Sequence, residues 1–249
     1  MSNMIHEAAG TVYSLSELEA HAKKAVRGAG FAWGYAEEAA KAVRLLAAHQ
    51  LPGAVVLATY LAERAENSGD AFAGPVVDDD WVAADALCPV LSGAVLCDYL
   101  YGEHRASTPL SPRRKPLNRA LSGAEWQNAK EGGGDTITLT DLAYPLLVLP
   151  YLLLLSRRLD CSFQINWEGV ELACHQGRLV QVSVHEGALI VARAERFSCG
   201  LAAAADVGEE AGNRGQVIED GAWQALNAFA YHTYVPATEA SRRGAGPAD

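Results

Sequence analysis

The strongest candidates for chemistry in this chain of 249 residues are the cysteines, the histidine and the aspartate of one short region. Cys88 precedes a proline, and Cys97 is followed directly by Asp98. If residues 91–104 form a helix, His104 lies about two turns beyond Cys97 on the same face. Thiolate, imidazole and carboxylate groups suit zinc or a similar divalent ion. Cys88, Asp98 and His104 therefore predict a metal site or a sulfur-handling site, although no C-x2-C or H-x3-H pair supports it.

The alternative interpretation of these cysteines is structural, because cysteine is among the most frequently buried residue types. Five cysteines without a repeated tight spacing do not predict a disulfide framework. The N-terminal segment has no basic stretch followed by an apolar run, so we expect a cytoplasmic protein with reduced thiols.

Two acidic residues follow an aromatic loop early in the chain. Glu37 and Glu38 come shortly after Trp33, in the first turn of a predicted helix. Acidic residues at that position stabilise a helix through its dipole. A buried glutamate beside an aromatic loop can instead act as a general acid or base, which makes Glu38 a candidate proton carrier.

The C-terminal tail is a candidate anion-binding segment. Ser241 and Arg242 stand in a stretch that combines guanidinium groups with glycine amides, and such a stretch can clamp a carboxylate. The alternative is a frayed terminus, which is common for the last residues of a domain.

The secondary structure that would position these residues is predicted to be helical in the N-terminal part of the chain and rich in strands in the later part. A capping box at Ser14-Leu-Ser-Glu17 predicts a helix that ends at Gly28. Further predicted helices cover residues 35–50, 54–67 and 218–230, and a buried apolar helix covers about 142–155. A strand is predicted at 136–140, and four alternating runs predict an antiparallel meander at 163–167, 170–174, 179–184 and 188–194.

These patterns predict the α+β class, with N-terminal helices and an antiparallel β-meander against which helices pack. We expect a single domain over residues 1–249, with a helical part at about 14–131, a strand-rich part at about 135–235 and a tail at 236–249.

The composition and the motifs of the chain argue against several classes of binding partner. A net charge of −10 argues against a nucleic-acid partner, which usually requires a basic face. The longest apolar stretch is too short to span a membrane. The sequence has no P-loop, G-x-S-x-G or G-x-G-x-x-G in a nucleotide-binding context, so we expect no nucleotide cofactor. A small-molecule substrate is the remaining expectation, and homo-oligomerisation stays open.

Three segments resemble a bacterial family of unknown function, and the likeness spans nearly the whole chain. The segments are SLSELE with KAVRGAGFAWGYAEEA, CPVLSGA with the aspartate that follows, and YVPATEASRRGAG. The residues shared with the pattern of that family are Arg27, Trp33, Gly34, Glu38, Cys88, Gly93, Asp98, Ser241 and Arg242.

The chain is also similar to proteins of bacterial ergothioneine breakdown, at the step where a thiohydantoin propionate loses sulfide. That resemblance implies an exchange of C=S for C=O with water. A thiophilic zinc, manganese, cobalt or iron ion would polarise the sulfur, or a cysteine would accept it covalently. An arginine would suit the propionate.

We therefore expect a hydrolytic enzyme for a small heterocyclic carboxylate. Cys88 and Asp98 would handle the metal or the sulfur, and Glu38 would carry protons. Arg27 and Arg242 would hold the carboxylate, with Trp33 and Ser241 beside the substrate. The alternatives are a non-catalytic small-molecule binding or accessory protein, and an assembly partner that docks through the Pro/Arg-rich loop at residues 107–119.

Overall fold

The residues that the structure describes form six α-helices and nine strands. This computed structural model of the chain describes residues 10–67, 72–73, 86–105, 136–202, 212 and 214–234. The helices are α1 (Leu15–Gly28), α2 (Trp33–Ala48), α3 (Gly53–Glu66), α4 (Pro89–Arg105), α5 (Leu149–Leu159) and α6 (Asp220–Tyr231). The strands are β1 (Gly10–Tyr13), β2 (Phe72–Ala73), β3 (Ala86–Leu87), β4 (Thr136–Ala143), β5 (Ser162–Trp167), β6 (Val170–His175), β7 (Arg178–Val184), β8 (Arg193–Ala202) and β9 (Gln216–Glu219). The α+β prediction is confirmed.

Seven strands form one mixed sheet in the order β2-β3-β4-β8-β5-β6-β7. The pairs β2–β3 and β3–β4 are parallel, and the other pairs are antiparallel. Helix α5 packs on β5 and β6, while α4 packs on α5. The short β3 therefore lies where the sheet meets the helices, directly before α4.

Helix α1 begins as its sequence predicts. The Ser14 hydroxyl accepts a hydrogen bond from the Glu17 amide at 3.2 Å, and the Glu17 carboxylate accepts one from the Ser14 amide at 2.9 Å. This reciprocal pair satisfies two backbone donors that a helix start leaves open. The predicted inward-facing residues are all buried, namely Leu15, Leu18, Ala22, Ala25 and Val26.

The start of α4 differs from the prediction. The helix considered over residues 91–104 begins earlier, at Pro89, and ends at Arg105. Proline is well suited to the first position of a helix, because the N–H that it lacks would have no partner there. Cys88 therefore stands directly before a long helix rather than in the middle of one.

The prediction that residues 188–194 form the fourth strand of the meander is wrong. Residues Ala188–Ile190 form a 3-10 turn instead of a strand, because Gly187 adopts a left-handed conformation with a φ of 75°. The Trp167 indole N–H donates to the Ala188 carbonyl at 3.0 Å and fixes this turn. The chain then crosses the sheet, and β8 lies between β4 and β5 rather than beside β7.

Two further predicted helices have different bounds. The apolar stretch at 142–155 is buried as expected, but it holds the end of β4 and a 3-10 turn before α5 begins at Leu149. The last helix begins at Asp220 because the preceding residues form β9, which pairs with β1. This pairing joins the start of the described chain to its end.

Within the described ranges, no helix combines the length and the apolar character that a membrane crossing needs.

Candidate functional site

The thiol of Cys88 lies at the junction between β3 and α4. Its residue is completely buried, and so are the two β3 residues before it. The Leu91 amide, in the first turn of α4, donates to the Cys88 Sγ at 3.5 Å. Amides at a helix start carry partial positive charge and favour an anion. The strand-to-helix junction thus places the Cys88 sulfur beside amides that favour a thiolate and so oppose the effect of burial.

Helix α3 supplies two polar neighbours of this thiol. Tyr60 and Arg64 lie four residues apart and therefore share one face of the helix. The Tyr60 Oη is 3.0 Å from the Cys88 Sγ, close enough for a hydrogen bond with either atom as donor. The Arg64 guanidinium hydrogen-bonds Tyr60, and its charge also acts on Cys88. Thiol, phenol and guanidinium form one contiguous group.

Aromatic rings surround this group. The Arg64 Cζ lies 4.6 Å from the centre of the Phe31 ring, within the range of a cation–π contact. The Tyr144 ring meets the Tyr60 ring edge-on at 5.6 Å, and the Tyr144 hydroxyl donates to Glu63 Oε2 at 2.6 Å. These contacts hold the polar groups of α3 in an apolar setting, where their charges interact strongly.

Burial controls the protonation of the thiol. It raises the pKa of Cys88, and the hydrogen bond from Tyr60, the Leu91 and Val90 amides and the Arg64 charge act in the opposite direction. Burial also raises the pKa of Tyr60, and the neighbouring Cys88 adds to the rise. At neutral pH both groups therefore hold their protons, so that the phenol can donate one.

A second polar cluster lies further along α4, against α5. The Tyr151 ring packs flat on α4 at Gly93, and the Cys97 Sγ donates to the Tyr151 carbonyl at 3.7 Å. The Tyr151 hydroxyl is buried and has no hydrogen-bond partner, and the same is true of the Ser92 hydroxyl. Burial raises the pKa of Tyr151, and the charges of Glu38, Cys97 and Cys88 add to the effect.

Glu38 lies at the outer end of that cluster. Helix α2 begins at Trp33, so Glu38 falls in its second turn rather than its first. The Glu38 carboxylate accepts from Lys41 at 2.8 Å, and 43% of its side chain is exposed. Burial raises the pKa of Cys97 to about 12, and Asp98 and Glu38 contribute to that rise. The partly exposed Glu38 is thus close enough for its charge to act on Cys97 and Tyr151 at the α4–α5 contact.

The loop between α1 and α2 brings Arg27 and Trp33 together. The Arg27 Nη1 donates to the Phe31 carbonyl at 2.8 Å, and the Arg27 Cζ lies 5.3 Å from the centre of the Trp33 ring. Trp33 is 54% exposed. The inner side of the same loop places the Phe31 ring on Arg64. Phe31 therefore links the half-buried Arg27 and the exposed Trp33 to the group at Cys88.

Asp98 does not join Cys88. It lies ten residues further along the chain, which corresponds to roughly 15 Å along the axis of α4, and its side chain is exposed. His104 lies in α4, but its side chain is outside the described part of the structure. Ser241 and Arg242 also lie outside the described residues.

The surroundings of Cys88 do not fit a metal ion. Within the described ranges, no three His, Cys, Asp or Glu side chains stand close enough to share one. The polar neighbours of Cys88 are a phenol and a guanidinium, and a fixed positive charge opposes a bound cation. We therefore derive no catalytic step through a metal at Cys88.

Substituting Gly93 tests the packing of the second cluster. A Cβ at this position would lie 2.4 Å from two carbons of the Tyr151 ring. We expect Gly93→Ala to lower the free energy of unfolding by about 1–3 kcal/mol, as overpacking of a core does. Urea denaturation measures the change. Gly221→Ala is the matched control, because no atom lies within 4 Å of its added Cβ, and equal stability of both variants would contradict the packing described.

Comparison with known families agrees with the resemblance to an uncharacterised family. Residues 13–90 match a family model described as "Protein of unknown function (DUF3726)". The match covers α1 to α3 and ends just after Cys88, so it includes Arg27, Trp33, Glu38, Tyr60 and Arg64. No curated protein and no solved structure matches the chain.

Proposed function

We propose that this protein is a hydrolytic enzyme for a small heterocyclic carboxylate. In its sharpest form the reaction is the desulfidation of 3-(5-oxo-2-thioxoimidazolidin-4-yl)propionate to the hydantoin, with release of sulfide. The observation that supports the proposal is the group at the start of α4, where the Cys88 thiol lies 3.0 Å from the Tyr60 hydroxyl and close to Arg64. It combines a nucleophile, a proton donor and a cation, which a covalent route from C=S to C=O can use.

The reaction balances with water as the only co-reactant. The Cys88 thiolate adds to the thiocarbonyl carbon, and the electron pair of the C=S bond moves to the exocyclic sulfur. That sulfur takes a proton from Tyr60 and leaves as hydrosulfide, while a ring N–H returns a proton to the Tyr60 phenolate, which gives an S-linked isothiourea. Water adds to the same carbon and gives one proton to the ring nitrogen. The Cys88 thiolate then leaves, the C=O bond forms, and the second proton of the water goes to the hydrosulfide. The sum is C=S plus H2O giving C=O plus H2S, without oxidation or reduction.

The outer residues have supporting roles in this proposal. The exposed Trp33 ring offers a flat apolar surface for the heterocycle, with the Arg27 guanidinium beside it. Glu38, which is partly exposed beside the α4–α5 contact, exchanges protons with solvent. The carboxylate-binding role predicted for Arg242 and Ser241 stays a prediction from the sequence, because both residues lie outside the described part of the structure.

Sulfide release from the thiohydantoin propionate tests the proposal. We expect one sulfide for each hydantoin formed, and none from the corresponding oxo compound. Parallel reactions with a chelator, and with added zinc, manganese, cobalt or iron, examine the metal-dependent form of the proposal. Activity that survives chelation supports the cysteine route, whereas loss on chelation and recovery with metal would replace it. No sulfide under any of these conditions would overturn the proposal.

The pH dependence of Cys88 alkylation tests its protonation. Because burial raises the pKa of Cys88 above that of an ordinary thiol, the reactive thiolate is a minor species at pH 7. We expect the rate of Cys88 modification by iodoacetamide to rise about tenfold per pH unit between pH 7 and 9. Peptide mass spectrometry of the native protein measures the rate. A rate that is constant over this range would mean a pKa below 7 and would contradict this account of burial.

Complete burial of Cys88 favours one alternative function. A thiol without solvent contact also fits a binding or accessory protein, in which Cys88 only packs against Tyr60. That alternative predicts binding of the thiohydantoin propionate at one molecule per chain with no chemical change. Calorimetry combined with analysis of the recovered ligand distinguishes it from the enzyme.

A further inference from the structure

The Arg64 guanidinium has an unused donor inside the protein. Its Nε is buried and has no hydrogen-bond partner. A buried donor without a partner costs about 1–3 kcal/mol, and more when the group is charged. Few native groups remain in that state, and such a group calls for an explanation. A ligand that accepts from Nε and offsets the charge provides one.

Two contacts fix the position of this guanidinium. The Phe31 ring covers one of its faces at 4.6 Å, and Tyr60 hydrogen-bonds it from one turn earlier on the same helix. Tyr60 is itself 3.0 Å from the Cys88 Sγ. A planar guanidinium held in this way presents its remaining donors in a fixed direction, which suits the two oxygens of a carboxylate.

Arg27 is less suited to the same role. Its Nη1 already donates to the Phe31 carbonyl at 2.8 Å, and its guanidinium lies over the partly exposed Trp33. Arg27 and Arg64 are both half-buried, so burial of the residue does not separate them. The difference is that the Nε of Arg64 is buried and has no hydrogen-bond partner. Arg64, whose charge also acts on Cys88, is therefore the better placed of the two arginines to bind an anion.

We infer that Arg64 binds the carboxylate of the ligand beside Cys88 and so selects anionic substrates over neutral ones. This inference rests on the proposed function, since it assigns a specificity-determining residue to the same site. Arg64 thus replaces Arg27 as the main partner of the carboxylate. Arg27 keeps its contacts with the loop between α1 and α2 and with Trp33.

Two alkylating reagents of nearly equal size test the inference without knowledge of the substrate. Iodoacetate carries a carboxylate directly on its reactive carbon, whereas iodoacetamide carries a neutral amide there. The ratio of their rates at Cys88, mapped by peptide mass spectrometry, reports an anion site next to the sulfur. A change in thiolate content affects both rates equally and cancels in the ratio.

We expect Arg64→Gln to lower the iodoacetate-to-iodoacetamide ratio about tenfold, in line with loss of a hydrogen bond to a charged group. Arg64→Lys should lower the ratio less, because lysine keeps the positive charge. It should still lower it, because lysine lacks the paired N–H donors of the guanidinium. Arg44→Gln is the matched control and should leave the ratio unchanged, since Arg44 is an exposed residue that pairs with Glu19 at 2.6 Å. A ratio in Arg64→Gln within twofold of the native value would overturn the inference and leave the Cys88 proposal intact.

A measurement on the unaltered protein covers the case in which Arg64→Gln fails to fold. Propionate should slow the reaction of Cys88 with iodoacetamide, whereas propionamide at equal concentration should not. Equal protection by both would overturn the inference alone. If neither reagent modifies Cys88 in the folded protein and both do so after unfolding, the proposed function fails and the inference fails with it.

Discussion

Replacing Cys88 with serine is expected to reduce sulfide release by about 10³-fold or more, as loss of a catalytic nucleophile does in other enzymes. The hydroxyl is close to the thiol in size and can keep the hydrogen bond with Tyr60, whose Oη lies 3.0 Å from the Cys88 Sγ. The fold should therefore survive, with a circular dichroism spectrum and a melting temperature close to those of the native protein. Sulfide release under saturating substrate measures the effect.

Cys97→Ser is the matched control for this prediction. Cys97 lies in α4, nine residues after Cys88, and its Sγ donates to the Tyr151 carbonyl at 3.7 Å. We expect this variant to keep most of the activity. Full activity of Cys88→Ser in a folded protein, or equal losses in both variants, would show that Cys88 is not the nucleophile.

Replacing Gly28 with alanine is expected to lower the free energy of unfolding by more than about 3 kcal/mol, which lies in the upper tail for single substitutions. The added Cβ would lie 1.8 Å from the Phe229 carbonyl oxygen and 2.7 Å from its carbon. Both atoms belong to the backbone of α6, so no side chain can rotate to relieve the clash. Helices α1 and α6 must separate, which exposes the buried Leu226 and Ala230.

Gly34→Ala shows what the same substitution does without a clash. No atom lies within 4 Å of a Cβ at Gly34, which is in the first turn of α2. Alanine there should leave stability unchanged or raise it by about 0.4–1 kcal/mol, because it restricts the unfolded chain. Thermal melts of the two variants measure the difference, and a melting temperature of Gly28→Ala within about 2 °C of the native value would contradict the close approach of α1 and α6.

The parts of the fold that depend on local sequence were predictable. The capping box at Ser14 and the apolar spacing of α1 act within one helix, so the sequence alone defines its start and its buried face. The place of β8 between β4 and β5 was not predictable in this way. Alternation shows that a strand has two faces, but it does not select the neighbour with which the strand pairs.

The candidate site, like the fold, was predictable from the sequence only in part. Cys88 was identified from residue type and spacing, whereas Arg27 and Trp33 were identified from the family resemblance. The structure connects them through Phe31. Asp98 was assigned to Cys88 because it is near in sequence, but ten residues of helix separate them. Tyr60 and Arg64 were missed because they come from another helix.

A signal for these two residues was present in the sequence of α3. This helix is apolar along most of its length, and Tyr60 with Arg64 forms a polar pair at helical spacing on it. Such a pair is a reason to look for a polar partner inside the core, although the spacing does not identify that partner as Cys88.

Intact-protein mass spectrometry of a quenched reaction tests the central claim most directly. After brief exposure to the thiohydantoin propionate, the native protein should carry one adduct with the mass of the substrate less H2S, and peptide mapping should place it on Cys88. The adduct should disappear as the hydantoin forms, and Cys88→Ser should never show it. Continued sulfide release with no adduct on Cys88 at any time, and the same rate in Cys88→Ser, would contradict a covalent role for this residue.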